Sequence, residues 1–153
     1  FQASEAGSVS GKGMRSVQEY FDLFVQVIEH SAAESVEIEF DEDQQGSTIE
    51  GALYFHDGSR LELTETVTIV RYRPVKLYSV YQYIRGGEGV FRYDNAPHHP
   101  DLPTFPHHKH VRKERLPATE PTLSQVMSEV SALLSEGAKE TPRPLGRRRR
   151  TKR

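Results

Sequence analysis

Five of the seven histidines in this 153-residue chain fall between His98 and His110. The surrounding stretch, from Tyr93, reads Tyr-Asp-Asn-Ala-Pro-His-His-Pro-Asp-Leu-Pro-Thr-Phe-Pro-His-His-Lys-His. An imidazole with a pKa near ~6.5 moves protons at neutral pH, and a neighbouring Lys or Arg steadies charge developing on a phosphate. Cleavage of RNA through its own 2′-hydroxyl needs only such groups: a neutral imidazole to accept the proton, a protonated one to supply the leaving oxygen, and a cation beside the phosphorane. His107, His108, Lys109 and His110 are the leading catalytic candidates, because they follow a proline-rich run and sit too close together for all three imidazoles to turn into a core. His98 and His99 are second candidates, with Asp94 or Asn95 orienting a ring and Arg92 near the phosphate. This chemistry predicts a bell-shaped rate profile around neutral pH, insensitivity to chelators and products ending in 2′,3′-cyclic phosphate.

A metal site is the competing chemistry. Zinc takes three or four ligands at about 2 Å, and Asp94 or Asp101 could join the histidines, but the spacing matches no zinc motif. A site without metal or cofactor is therefore expected, with a metal-dependent nuclease as an alternative. The plain structural alternative is a stiff loop that packs Leu102 and Phe105 onto a sheet and leaves its histidines as surface hydrogen-bonding groups. His30, at a helix end, and His56, beside a turn, are read as structural.

Pro97, Pro100, Pro103 and Pro106 recur every third residue, the period of polyproline II, which predicts a stiff extended segment. On that geometry His98, Asp101, Thr104 and His107 share one edge, and His99, Leu102, Phe105 and His108 another. Arg71, Arg73, Lys76, Arg85 and Arg92 alternate with Tyr72, Tyr78, Tyr81, Tyr83 and Tyr93. Cations interleaved with aromatics suit a single-stranded nucleic acid, so Arg73, Arg85, Arg92, Tyr93 and Asn95 are candidate RNA contacts.

The elements that must position these groups follow from hydrophobic period. Ser16 and Glu19 make a capping pair ahead of Val17, Tyr20, Phe21, Phe24, Val25 and Ile28, predicting an amphipathic helix over roughly 16–31. Val36, Ile38 and Phe40 alternate with Glu37 and Glu39, and Leu61, Leu63, Val67 and Ile69 alternate with polar residues, as in strands with one wet face. Ile49–Phe55 runs into the turn Asp57-Gly58, and Val75–Ile84 and Val90–Tyr93 bracket a Gly-rich turn at 86–89. Five strands in an antiparallel meander result. No regular element is expected again until Thr119 or Thr122 caps a second helix carrying Val126, Met127, Val130, Leu133 and Leu134, which Gly137 ends. The fold expected is α+β: an N-terminal helix packed on a curved sheet of about five strands, then a Pro/His-rich loop and a C-terminal helix.

Residues 1–13 are polar and Gly/Ser-rich and read as a tag remnant, and 14–138 as one domain. Lys139 to Arg153 holds eight basic residues and one acidic residue and reads as a disordered arm, leaving twelve basic against twenty-one acidic residues before it. Within that body residues 1–70 are strongly acidic, whereas residues 71–115 carry nine cations against four carboxylates. An anion is expected to approach the second half. Zero cysteines exclude thiol nucleophiles, disulfides and thiolate-held metal. No run approaches the ~18 apolar residues of a membrane span, so a cytoplasmic protein without membrane contact is expected. With 35% apolar residues the core is modest, and a homo-oligomer or hetero-oligomer is plausible.

Phe91-Arg92-Tyr93-Asp94-Asn95-Ala96-Pro97-His98-His99-Pro100, followed by Leu102-Pro103-Thr104-Phe105-Pro106-His107-His108-Lys109-His110, resembles the signature of the TumE family of prokaryotic toxin–antitoxin toxins. The likeness extends more loosely over residues 14–115. It implies a growth-inhibiting toxin neutralised by a helix-turn-helix antitoxin, with RNA cleavage as the usual supposition. A helix followed by an antiparallel meander is also similar in plan to the barnase, EndoU, colicin and RelE ribonucleases, a likeness of fold alone. The function expected is metal-independent RNA cleavage, and the alternative of another class is a non-catalytic regulatory or inhibitory binding module.

Overall fold

The computed structural model describes residues 13–140, in the order α1 (Val17–Glu29), β1 (Ser35–Glu42), β2 (Ser47–Tyr54), β3 (Arg60–Val70), β4 (Arg73–Arg85), β5 (Glu88–Asp94), β6 (His108–Val111), β7 (Glu114–Pro117) and α2 (Leu123–Glu140). The expected tag remnant, up to Lys12, and the basic arm beyond Glu140 lie outside the described residues. All seven strands pair antiparallel in sequence order, a pure meander. The α+β plan stands, with two strands more than the five expected.

Local signals account for most of this. Ser16 Oγ accepts from Glu19 N–H at 3.3 Å, while the Glu19 carboxylate accepts from Arg15 N–H rather than from the cap itself. Thr122 makes the full reciprocal box with Gln125 at 3.1 and 2.9 Å. Two-residue turns with positive φ close the long hairpins, at Arg71-Tyr72 (50° and 62°) and Gly86-Gly87 (58° and 76°). At Gly51 any side chain would force the backbone to shift, since a Cβ would stand 1.9 Å from the Glu37 carbonyl oxygen.

Both helices lie on one face of the sheet. Phe21, Phe24 and Ile28 of α1 and Leu123, Val126, Met127, Val130 and Leu134 of α2 bury against Ile49, Leu53, Leu61, Leu63, Val67, Tyr81, Tyr83 and Phe91. Each large aliphatic or aromatic side chain in this layer contributes roughly 1.5–3 kcal/mol over its exposed state. Within it sits one buried carboxylate, Glu65, fully shielded from solvent. Tyr20 and Tyr81 donate their hydroxyls to it, the former at 2.6 Å, and Lys76 Nζ stands 3.1 Å away. Burial first, and then the charge of Glu65, pushes both phenols far above their usual range, so they remain donors. Lys76 also donates to the Pro121 carbonyl at 2.8 Å, which ties the entry of α2 to the sheet.

Three local expectations are corrected. The segment between β5 and β6 is not an extended polyproline helix. Hydrogen bonds from Leu102 to His99, Phe105 to Leu102 and His107 to Thr104 fold it into successive tight turns, and the Phe105–Pro106 peptide is cis. Regular structure returns at His108 rather than at the second helix, as the hairpin β6–β7. Gly137 does not end α2, which runs on to Glu140. The Arg85 guanidinium packs 3.5 Å from the position of a Gly137 Cβ and donates to the Leu133 carbonyl at 3.0 Å, supporting that turn from outside.

Candidate active site

The face of the sheet away from the helices carries the histidines. Strand pairing places Asp94 opposite His108, Arg92 opposite His110, and His110 opposite Arg115. Because side chains alternate along a strand, His108 and His110 share this face while Lys109 between them points to the other. The turn-rich loop folds back over the face and brings His99 down, its ring centroid 5.0 Å from His108 and 5.7 Å from His110. His108 and His110 stand 4.9 Å apart at 84°. One nitrogen from each of the three lies within 4.8 Å of the others.

The innermost pair is Asp94 and His108, both buried. Asp94 Oδ2 accepts from Arg92 Nε at 2.9 Å, and Oδ1 from the Ala96 amide at 3.1 Å. His108 Nδ1 lies 3.0 Å from the Pro106 carbonyl, which can only accept, so this nitrogen carries the proton. His108 Nε2 lies 2.8 Å from Asp94 Oδ1 but off line, and is buried without an aligned hydrogen-bond partner among the described residues. Outside them an open pocket of about 630 Å³ is lined by Gln82, Arg92, Asp94, His98, His99, His110 and Arg112. Burial, then the neighbouring His108, His99 and Arg92, lower the His110 pKa, with Asp94 opposing. Arg115 Nη1 donates to His99 Nδ1 at 2.5 Å and its guanidinium clasps the Asp101 carboxylate at 3.0 and 3.3 Å, fastening the loop to β7.

Of the sequence candidates, His98, His99, His108, His110, Asp94 and Arg92 come together here. The others do not. Lys109 lies on the helix side, pairing with Glu129 of α2, its Nζ 4.7 Å from the Tyr93 ring centroid. Burial alone would lower its pKa, but the bonds to Glu129 and Tyr93 raise it. Tyr93 donates to Glu129 at 2.7 Å. His107 Nε2 is 4.0 Å from Glu120, and its backbone ends the loop. Asn95 accepts from the Ser79 amide at 2.9 Å, anchoring the start of the loop to β4. Arg85 joins Tyr83, Leu133 and Asp57. Arg73 is exposed at the opposite end of β4, about 30 Å along the strand from Gln82. Arg112 and Arg115 were not among the candidates, because the hairpin that presents them was read as loop.

A family model described as Toxin TumE matches residues 21–136, which is more than half of the chain and spans most of α1, the whole sheet, the histidine loop and most of α2. No curated protein and no solved structure matches the chain. Among the described residues, no helix is long and apolar enough to cross a membrane. Matched by that model from α1 to α2, the chain belongs to the TumE family of toxins.

Proposed function

We propose that this toxin cleaves RNA in the pocket lined by Arg92, His98, His99, His110 and Arg112, by acid–base chemistry that needs no metal ion. The observation that carries the reading is the convergence of three imidazoles and two guanidinium groups on one open pocket, backed by a buried carboxylate. Arg92 and Arg112 hold the phosphodiester, His110 takes the 2′-hydroxyl proton, and His98 supplies the proton to the leaving oxygen. Asp94 and His108 are positioning residues beneath them: Asp94 aims Arg92, and His108 fixes the wall against which His99 and His110 pack. Lys109, His107, Tyr93, Asn95 and Arg85 serve the reaction only by holding strands and loop in place.

A toxin of this family is countered by an antitoxin. The partner proposed here is a helix-turn-helix protein, and the site of action the cytoplasm. The test is cleavage of single-stranded RNA by chelator-treated chain, with end-group analysis. Wild type should yield 2′,3′-cyclic phosphate ends, and His110→Gln should slow cleavage at least about 10²-fold, the usual loss on removing a general acid or base. Growth arrest by a chain with no detectable RNA cleavage, or a His110→Gln rate within tenfold of wild type, would defeat the reading.

A further inference from the structure

We infer that His99, His108 and His110 form a binding site for one divalent ion of the zinc class, and that Arg115 competes with that ion for His99. Three imidazole nitrogens within 4.8 Å of one another are the donor set that zinc, nickel and copper prefer. A tetrahedral ion with bonds of about 2.0–2.1 Å places its ligands roughly 3.4 Å apart, so the nitrogens must close by up to about 1.4 Å. Two rings come from alternate residues of one strand and only the third from the loop, which makes that closure a small movement of the loop.

His108 supplies the independent sign of a ligand. Its Nδ1–H is donated to the Pro106 carbonyl, the outer-shell arrangement that fixes the tautomer of a metal-binding histidine and leaves Nε2 with its lone pair. That Nε2 is buried, lacks an aligned partner among the described residues, and faces Asp94 Oδ1 at 2.8 Å. So short a contact requires a positive charge between the two atoms, which a proton on Nε2 or a metal ion in its place supplies. The nearby guanidinium groups do not saturate the position, since Arg92 is matched by Asp94 and Arg115 by Asp101.

Arg115 is what the ion must displace. Its Nη1 donates to His99 Nδ1, so coordination through that nitrogen replaces Arg115 directly. Coordination through Nε2 instead requires a proton on Nδ1, which again expels the arginine. The ion would also occupy the lone pair with which His110 accepts a proton, so a loaded toxin is a silenced one. That regulatory consequence rests on the RNA-cleaving reading, whereas the binding site does not.

The test uses the full chain freed of metal by chelator dialysis, then titrated with Co²⁺, read by its visible d–d absorption, and with Zn²⁺ against a chromogenic chelator. One equivalent per chain is expected, with a tetrahedral cobalt spectrum. His110→Gln should weaken zinc binding more than tenfold, and Arg115→Gln should tighten it severalfold. His30→Gln should leave it unchanged. If the buried His108→Ala does not fold, His99→Gln in the loop replaces it and should give the same loss. Absence of a one-equivalent site, or equal affinity in wild type and His110→Gln, would overturn the inference. The cleavage assay separates the two readings: metal-free chain that cuts RNA and is arrested by Zn²⁺ supports both, whereas one that cuts only when loaded keeps the ion and refutes the metal-free chemistry.

Discussion

Replacing Lys76 by Met removes the ammonium beside Glu65 and leaves the carboxylate fully buried. Breaking one side of a buried ion pair costs about 3–5 kcal/mol, because the surviving charge has neither water nor countercharge. Here Tyr20 and Tyr81 still donate to Glu65, and each charge-assisted bond contributes about 1.5–3 kcal/mol, which places the expected cost at the lower end, near 3 kcal/mol. The bond from Lys76 to the Pro121 carbonyl disappears as well, loosening the entry to α2. With a urea m-value of about 2 kcal/mol/M, the midpoint should fall by roughly 1.5 M. The chain has no Trp, so far-UV circular dichroism is the suitable probe. The double variant Glu65→Gln, Lys76→Met carries no buried charge and should recover more than half of that loss. A Lys76→Met midpoint within about 0.5 M of wild type, or a double variant whose loss is the sum of the two single ones, would refute the account of Glu65 as a carboxylate held by Lys76.

Gly51→Ala should cost roughly 3 kcal/mol, the upper part of the overpacking range, since its Cβ would meet the Glu37 carbonyl of β1; thermal melts check this. Ser16→Ala should cost about 1 kcal/mol through the lost cap of α1, read by the same melts. Arg92→Ala and Arg112→Ala should each weaken RNA binding across sequences and reduce the log–log salt slope by about 0.7, measured by fluorescence anisotropy at several ionic strengths. Removing residues 141–153, which hold seven basic residues, should flatten the same slope further while single-turnover cleavage of bound RNA persists; complete loss of cleavage would place part of the site in the arm.

The elements with a clean apolar period were legible as sequence. The Ser16 cap, the stripe from Phe21 to Ile28, the alternation at Leu61–Val67 and the Leu133-Leu134 end of the second helix all correspond to observed elements, because burial on one face demands those periods. The hairpin β6–β7 carried no such signal. His108-Lys109-His110-Val111 is polar on both faces, one side lying under the loop and the other against Glu129, and β7 is exposed throughout. Missing that strand had a direct cost for the site, since Lys109 was grouped with the imidazoles although alternation turns it away from them. The prolines were read by period alone, whereas hydrogen bonds between residues three apart in sequence decide the path of the loop. The histidine segment stands out in the sequence by density alone, and the gathering of its residues nine and eleven apart comes only from the fold.

The pairing of β6 with β5 has a further consequence for how this family can change. His108, Lys109 and His110 are correct only in phase: one phase sets both imidazoles beside Asp94 and Arg92 and the ammonium beside Glu129. A single-residue insertion or deletion at the start of β6 would exchange every assignment at once, sending a cation into the histidine pocket and two imidazoles toward the helices. Length variation should therefore be absent from the four residues of β6. The three imidazoles come together only through the pairing of the sixth strand with the fifth.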